Sequence, residues 1–196
     1  MTDESAQTLR SFISINLTPA LTQALDQLQT RLQGKIGSGV SWTKPEQIHL
    51  TLKFLGDIEA ASLDALKAAL DRAGAGIASH ELTLENLGAF PSTKKPSVIW
   101  VGIGGEVDAL LELQRRVEQE TRSLSSHDED RTFKPHLTIG RVKARHFREQ
   151  QRIGGIVQST QVGVLGRWKV GSVQLMKSQL GPQGSRHTEL HSVTLQ

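Results

Sequence analysis

Hydrophobic residues follow two different rhythms along this chain, and the changes between them lay out its elements. After a short strand-like run, Ser11 to Leu17, the pair Thr18-Pro19 offers a capping hydroxyl and a proline at the first helical position. Leu21, Leu25, Leu28 and Leu32 then recur at helical spacing and predict a helix with one buried face. Gly34, Gly37 and Gly39 break that pattern, and Pro45 marks a turn. From Ile48 to Phe54 the period falls to two. Ile48, Leu50, Leu52 and Phe54 alternate with His49, Thr51 and Lys53, as in a strand with one face in a core.

The rest of the chain reads in the same way. Leu63, Leu66 and Leu70 predict a second helix, and Val107, Leu110, Leu111 and Val117 a third. Glu81 to Leu87 and Val98 to Ile103 read as strands joined by the turn-rich stretch Gly88 to Pro96. A polar, acidic loop, Ser123 to Asp130, leads to Phe133-Lys134-Pro135-His136, where Pro135 biases Lys134 towards extended geometry and strand entry. Further strand-like pieces are Gln161 to Leu165, Ser172 to Met176 and Glu189 to Leu195. Strands mixed with helices, and turns too short for many parallel crossovers, indicate α+β with largely antiparallel sheets.

No linker or low-complexity segment divides residues 1–196, so a single domain is expected. A weak internal repeat does divide it: His49-Leu50-Thr51-Leu52 recurs as His136-Leu137-Thr138-Ile139. Two lobes related by a pseudo-two-fold would bring these strands face to face across a central cleft.

Composition narrows the chemistry. Hydrophobic residues make up 37% and charged residues 22% of 196, as in an ordinary globular protein. There is no cysteine, which removes disulfides, thiolate nucleophiles and Cys-based zinc sites together. No apolar run approaches the ~20 residues of a membrane span, and Met1 to Gln7, with Asp3 and Glu4, is no secretory signal, so a cytoplasmic location is expected. No Gly-x-x-x-x-Gly-Lys loop is present for a nucleotide triphosphate. The net charge of +3 is modest, but Arg131, Lys134, Arg141, Lys143, Arg145, Arg148 and Arg152 are opposed only by Glu149 between them. That basic run is either a solvated surface or the footprint of a phosphate-bearing partner.

In a strand, residues two apart share a side, so His49 stands beside Thr51 and His136 beside Thr138. Two histidines opposed across a small ligand suit phosphodiester hydrolysis without a metal. One imidazole takes a proton from the attacking water, and the other, protonated, gives one to the departing oxygen. Threonine hydroxyls can donate to the non-bridging oxygens, where negative charge must be held. His187 and His191 are four apart, but their surroundings are strand-like and no carboxylate cluster accompanies them, so no metal or other cofactor is expected. His80, His127 and His146 stand in polar surroundings and read as surface residues.

In context the first motif is Trp42-Thr43-Lys44-Pro45-Glu46-Gln47-Ile48-His49-Leu50-Thr51-Leu52-Lys53-Phe54-Leu55-Gly56, and the second is Phe133-Lys134-Pro135-His136-Leu137-Thr138-Ile139-Gly140-Arg141. Together they resemble the 2H phosphoesterases, specifically the bacterial and archaeal RNA 2′,3′-cyclic phosphodiesterases once named 2′-5′ RNA ligases. Arg10 to Ile15, Gly88 to Pro91, Val98 to Gly102 and Leu175 to Leu180 extend the resemblance from about Arg10 to Leu190.

The resemblance implies a two-lobed α/β architecture with both His-x-Thr strands lining a cleft. It makes His49 and His136 catalytic, with His49 as general acid and His136 as base, and it implies a 2′-phosphate product. Thr51 and Thr138 would contact the phosphate, and Arg141 would hold it. Phe54 would offer an aromatic face to the nucleobase, although strict alternation sets Phe54 on the buried side unless the strand bends before Leu55-Gly56. Two positions depart from the family pattern: Ser97 stands where many members carry arginine, and His187 where a tyrosine is usual. The implied partner is RNA with a 2′,3′-cyclic phosphate end, or a cyclic nucleotide, acted on by a monomer away from any membrane. The rival readings are reversible 2′-5′ RNA ligation by the same acid–base pair, and a non-catalytic module that binds RNA ends through the basic run.

Overall fold

A computed structural model describes residues 8–127, 132–181 and 184–196. The Leu21 N–H donates to the Thr18 hydroxyl at 3.4 Å, and Pro19 opens α1 (Pro19–Ile36). A threonine cap of this kind contributes about 1 kcal/mol. Leu21, Leu25, Leu28 and Leu32 are all buried. The helix carries Gly34 without breaking and ends at Gly37, whose φ of 71° suits a residue without a Cβ.

Two antiparallel sheets carry the fold. The first has the order β3-β1-β8-β9, from β1 (Thr8–Ile15), β3 (Leu50–Glu59), β8 (Ser172–Gly181) and β9 (Gly184–Thr194). The second has the order β2-β6-β5-β4-β7, from β2 (Val40–Trp42), β4 (His80–Phe90), β5 (Val98–Gly105), β6 (His136–Val142) and β7 (Gly166–Val170). Helices α2 (Leu63–Gly74) and α3 (Val107–Thr121) cover one face of the first sheet, with His191 of β9 reaching Asp71 at 2.7 Å. Helices α1 and α4 (Phe147–Ser159) lie on the second, where a Cβ on Gly154 would collide with the Thr93 carbonyl. The other face of each sheet is free of helices, and the candidate residues are found there.

The chain passes between the sheets immediately before the first motif. Trp42 ends β2 in the second sheet, a single 3-10 turn spans Pro45–Gln47, and β3 then joins the first sheet. The buried Gln29 amide of α1 ties this crossing to β6 by donating to Thr43 O and Ile139 O, both at 2.7 Å.

Several expectations change. The segment expected as a strand at Gln161–Leu165 is irregular, held by one bond from the Leu165 N–H to Leu84 O, and the strand begins at Gly166. The basic run continues into α4, which buries Ile153, Gly154 and Val157. Its apolar face is too short, and too broken by glutamine and glycine, to be seen as a period. On α3 the buried positions are Leu110, Leu113 and Val117, while Leu111 is exposed. His80 is buried, with Nδ1 3.0 Å from Ala78 O. The end of the acidic loop, residues 128–130, lies outside the described residues. Among the described residues no helix is long and apolar enough to cross a membrane.

Candidate active site

Both motif histidines are held by the same local device. Nδ1 of His49 lies 2.9 Å from Gln47 O, and Nδ1 of His136 lies 2.7 Å from Lys134 O, in each case the carbonyl two residues earlier. A carbonyl can only accept, so the ring N–H sits on Nδ1 and leaves Nε2 as the working nitrogen. Leu50, Leu52, Leu137 and Ile139 are buried beneath, while His49, Thr51, His136 and Thr138 are half-buried.

A β-bulge then interrupts each motif strand at the same offset. On β3, Thr51 pairs with Ser14 and Lys53 with Ile13, so Leu52 is extra. On β6, Thr138 pairs with Trp100 and Gly140 with Ile99, so Ile139 is extra. Each bulged residue is the third after its histidine. An extra residue reverses the alternation downstream. Phe54 therefore pairs with Phe12 on the helix-free side, 49% exposed, with the two rings 6.3 Å apart. Arg141, the fifth residue after His136 as Phe54 is after His49, comes out exposed opposite Val98 on the same side as Thr138. The same reversal turns Lys53 away from His49 and Thr51. It is buried against α3, with Nζ 2.9 Å from a Glu118 carboxylate oxygen.

The two histidines differ in their surroundings. His49 stacks on Phe12, with centroids 4.6 Å apart and an interplanar angle of 22°. His187 of β9 stands edge-on to both rings, 5.1 Å from His49 and 5.0 Å from Phe12. Burial, followed by the charge His187 can carry, pushes the His49 pKa down to about 4. Burial lowers His187 as well. His136 packs edge-to-face on Phe90 at 5.0 Å. Beside it, the Trp100 indole lies over Gly88, where any Cβ would collide with the ring.

Gln47 joins the first sheet's two edges at this point. Its carbonyl holds His49, and its side-chain amide donates to Ser185 O on β9, two residues before His187. Register explains why His187 and His191 do not act together. Met176 pairs with Glu189 and Leu175 with His191, so Leu190 is bulged and the two histidines leave β9 on opposite faces. Among the described residues no group of three or more His, Asp or Glu side chains could hold a metal ion. Ser97, at the position where the resemblance implies arginine, is exposed, and its carbonyl accepts from the Val142 N–H at 2.9 Å.

Comparison with known proteins identifies the family. The LigT-like phosphoesterase family matches residues 15–100. The RNA 2′,3′-cyclic phosphodiesterase of Thermotoga maritima is 32% identical over 137 residues, covering 69% of this chain and 71% of its own. The chain belongs to the LigT-like 2H phosphoesterases. Among such phosphoesterases, the RNA 2′,3′-cyclic phosphodiesterase of Methanothermobacter thermautotrophicus is 28% identical over 93% of this chain and 96% of its own. A Thermus thermophilus protein of solved structure superposes with a TM-score of 0.77 at 26% identity, covering 95% of this chain and 98% of that one. The Escherichia coli LigT structure with 3′-AMP has the same fold, with a TM-score of 0.77 at 20% identity and coverage of 96% and 99%.

Within this phosphoesterase, Phe12 and His187 are the site neighbours that the sequence pattern did not single out for the cleft. Phe12 is the inward residue of a strand that reads as ordinary core. His187 reaches His49 only because β9 approaches the turn before β3.

Proposed function

We propose that this phosphoesterase hydrolyses 2′,3′-cyclic phosphates at RNA ends to 2′-phosphates, with His49 and His136 as a metal-independent acid–base pair. One observation carries the reading. Two copies of an Nδ1-anchored histidine, a threonine and a bulge offer Nε2, a hydroxyl and a +5 side chain from the helix-free face of each sheet. The relatives' names supply the substrate class.

In this mechanism His136 takes a proton from water as its oxygen attacks phosphorus, the P–O3′ bond breaks, and protonated His49 delivers its proton to O3′. Thr51 and Thr138 donate to the non-bridging oxygens. Arg141 binds two oxygens through its planar fork, and Phe54 stacks on the base. With its pKa held near 4, His49 is neutral in the empty site at pH 7. The phosphate's negative charge offsets burial and His187, so His49 becomes an acid only when substrate is bound. The enzyme acts as a cytoplasmic monomer in this reading.

The test is turnover of 2′,3′-cyclic AMP in EDTA by wild type, His49→Ala and His136→Ala. Activity in the wild type and a loss of about 10²-fold or more in each folded variant supports the pair. Near-normal rates in either variant, or a wild type that works only after metal is added, overturns it.

A further inference from the structure

We infer that the end of the second sheet, where β6 passes into α4, is a binding surface for the nucleotides that precede the cyclic end of a single-stranded RNA. This rests on the substrate proposed above and extends it from the reacting nucleotide to the chain behind it.

The fold gathers like charges here. Arg141 lies in the last part of β6, and Lys143, Arg145 and Arg148 follow on the connection and the first turn of α4. The β4–β5 loop brings Lys94 and Lys95 to the same end, because Val98 opens β5 opposite Arg141 and Ser97 O accepts from the Val142 N–H. All six side chains are exposed or half-exposed. Among the described residues none of the six forms an ion pair. Glu149, the acid within the run, lies over Gly39. Cations gathered without counter-charges repel one another, and a polyanion relieves that repulsion.

The backbone beneath them is fixed. The N–H groups of Lys143 and Ala144 both donate to Gly39 O, at 2.7 and 3.1 Å, and the Gln150 amide donates to Ala144 O at 2.9 Å. Arg152 donates to Ile36 O at 2.8 Å, tying α4 to the end of α1. In the middle of the run Phe147 is 58% exposed between Arg145 and Arg148. An exposed aromatic ring among arginines on a rigid backbone is how proteins hold single-stranded nucleic acid, with rings stacking on bases and cations following the phosphates. Arg141, the residue proposed to hold the reacting phosphate, stands two residues before Lys143, where this surface begins in the chain.

The experiment compares kcat/KM for 2′,3′-cyclic AMP and for a single-stranded hexanucleotide ending in a 2′,3′-cyclic phosphate, at 50 and 200 mM KCl. Two backbone phosphates held on the surface, together with the cyclic phosphate in the site, predict a fall of about twentyfold for the hexanucleotide over that range, against about threefold for a mononucleotide. The triple variant Arg145→Ala/Phe147→Ala/Arg148→Ala should bring the hexanucleotide down to the mononucleotide's rate and salt response while leaving cyclic AMP within about twofold of wild type. A variant that handles the hexanucleotide as wild type does overturns the surface. Should the triple variant also lose cyclic AMP turnover, Arg145→Gln/Arg148→Gln is measured against the same two outcomes. A wild type that opens neither substrate would refute the proposed function instead. The surface is then decided by fluorescence anisotropy of a labelled hexanucleotide with a plain 3′-hydroxyl: tighter binding to wild type than to the variant upholds it, and equal binding overturns it.

Discussion

His187 meets His49 edge-on, with ring centroids 5.1 Å apart and planes at 79°, while Phe12 closes the face of the His49 ring. A neutral, half-buried imidazole is thus held beside a second group that can take up a proton. The acid limb of kcat/KM, which reports the free enzyme, should fall towards pH 4 rather than near 6.5. In His187→Phe that limb should move up only part of the way, because burial is the larger cause and remains. A pH–rate profile of the two proteins checks this, and superimposed acid limbs would contradict it.

The same lowering links acid to folding. His49 titrates near 6.5 when unfolded but near 4 when folded, so between these values the unfolded chain holds the extra proton. Its contribution to stability is complete above pH 6.5 and is lost as the pH falls to 4, by about 3 kcal/mol at most. Urea unfolding at pH 7 and pH 5 should show a drop that is smaller in His49→Gln.

Phe54→Ala separates a cleft phenylalanine from a core one. A core phenylalanine cut to alanine costs about 3–5 kcal/mol. With half of its surface in solvent, Phe54 should cost under about 1 kcal/mol while KM rises. Thermal unfolding and steady-state kinetics on one variant decide between the two.

Lys53 supplies the matching test on the other face. Glu118→Ala leaves its buried ammonium unpaired and should destabilise the protein by about 2 kcal/mol, less than a fully buried pair because Glu118 is partly exposed. The double change Lys53→Met/Glu118→Leu should recover most of that in urea titration. Turnover should be unaffected in both variants.

Digestion of 2′,3′-cyclic AMP should release 2′-AMP, with O3′ as the leaving oxygen. Chromatographic separation from 3′-AMP reads this directly. Predominant 3′-AMP would exchange the roles of His49 and His136 while leaving the acid–base pair in place.

Much of this was legible in the sequence. The helix capped at Thr18-Pro19 and the two strand-borne motifs follow from period and punctuation alone. The bulges do not, because Leu52 and Ile139 are apolar residues in apolar positions and nothing local marks them as extra. Strict alternation therefore sent Lys53 to the site and Phe54 to the core, the reverse of what is found. The resemblance placed Phe54 on the correct side, since a family pattern carries bulges that periodicity cannot see. His187 was marked only as a departure from the family pattern: its contact with His49 joins β9 to the turn before β3, residues far apart in sequence that no local window brings together.

The matched bulges have a consequence for direction. A site with true two-fold symmetry would accept a cyclic phosphate either way round with equal free energy, and would release both isomers. The histidines, threonines and bulges of the two halves nearly achieve that symmetry, and the fifth position after each histidine breaks it with a ring on one side and a guanidinium on the other. In the proposed mechanism Phe54 and Arg141, two side chains that move no proton, add to the asymmetry already set by Phe12 and His187 beside His49 and by Phe90 beside His136 in selecting the ribose oxygen that departs. Exchanging Phe54 and Arg141 should favour the substrate turned around in its cleft without altering the chemistry performed on it.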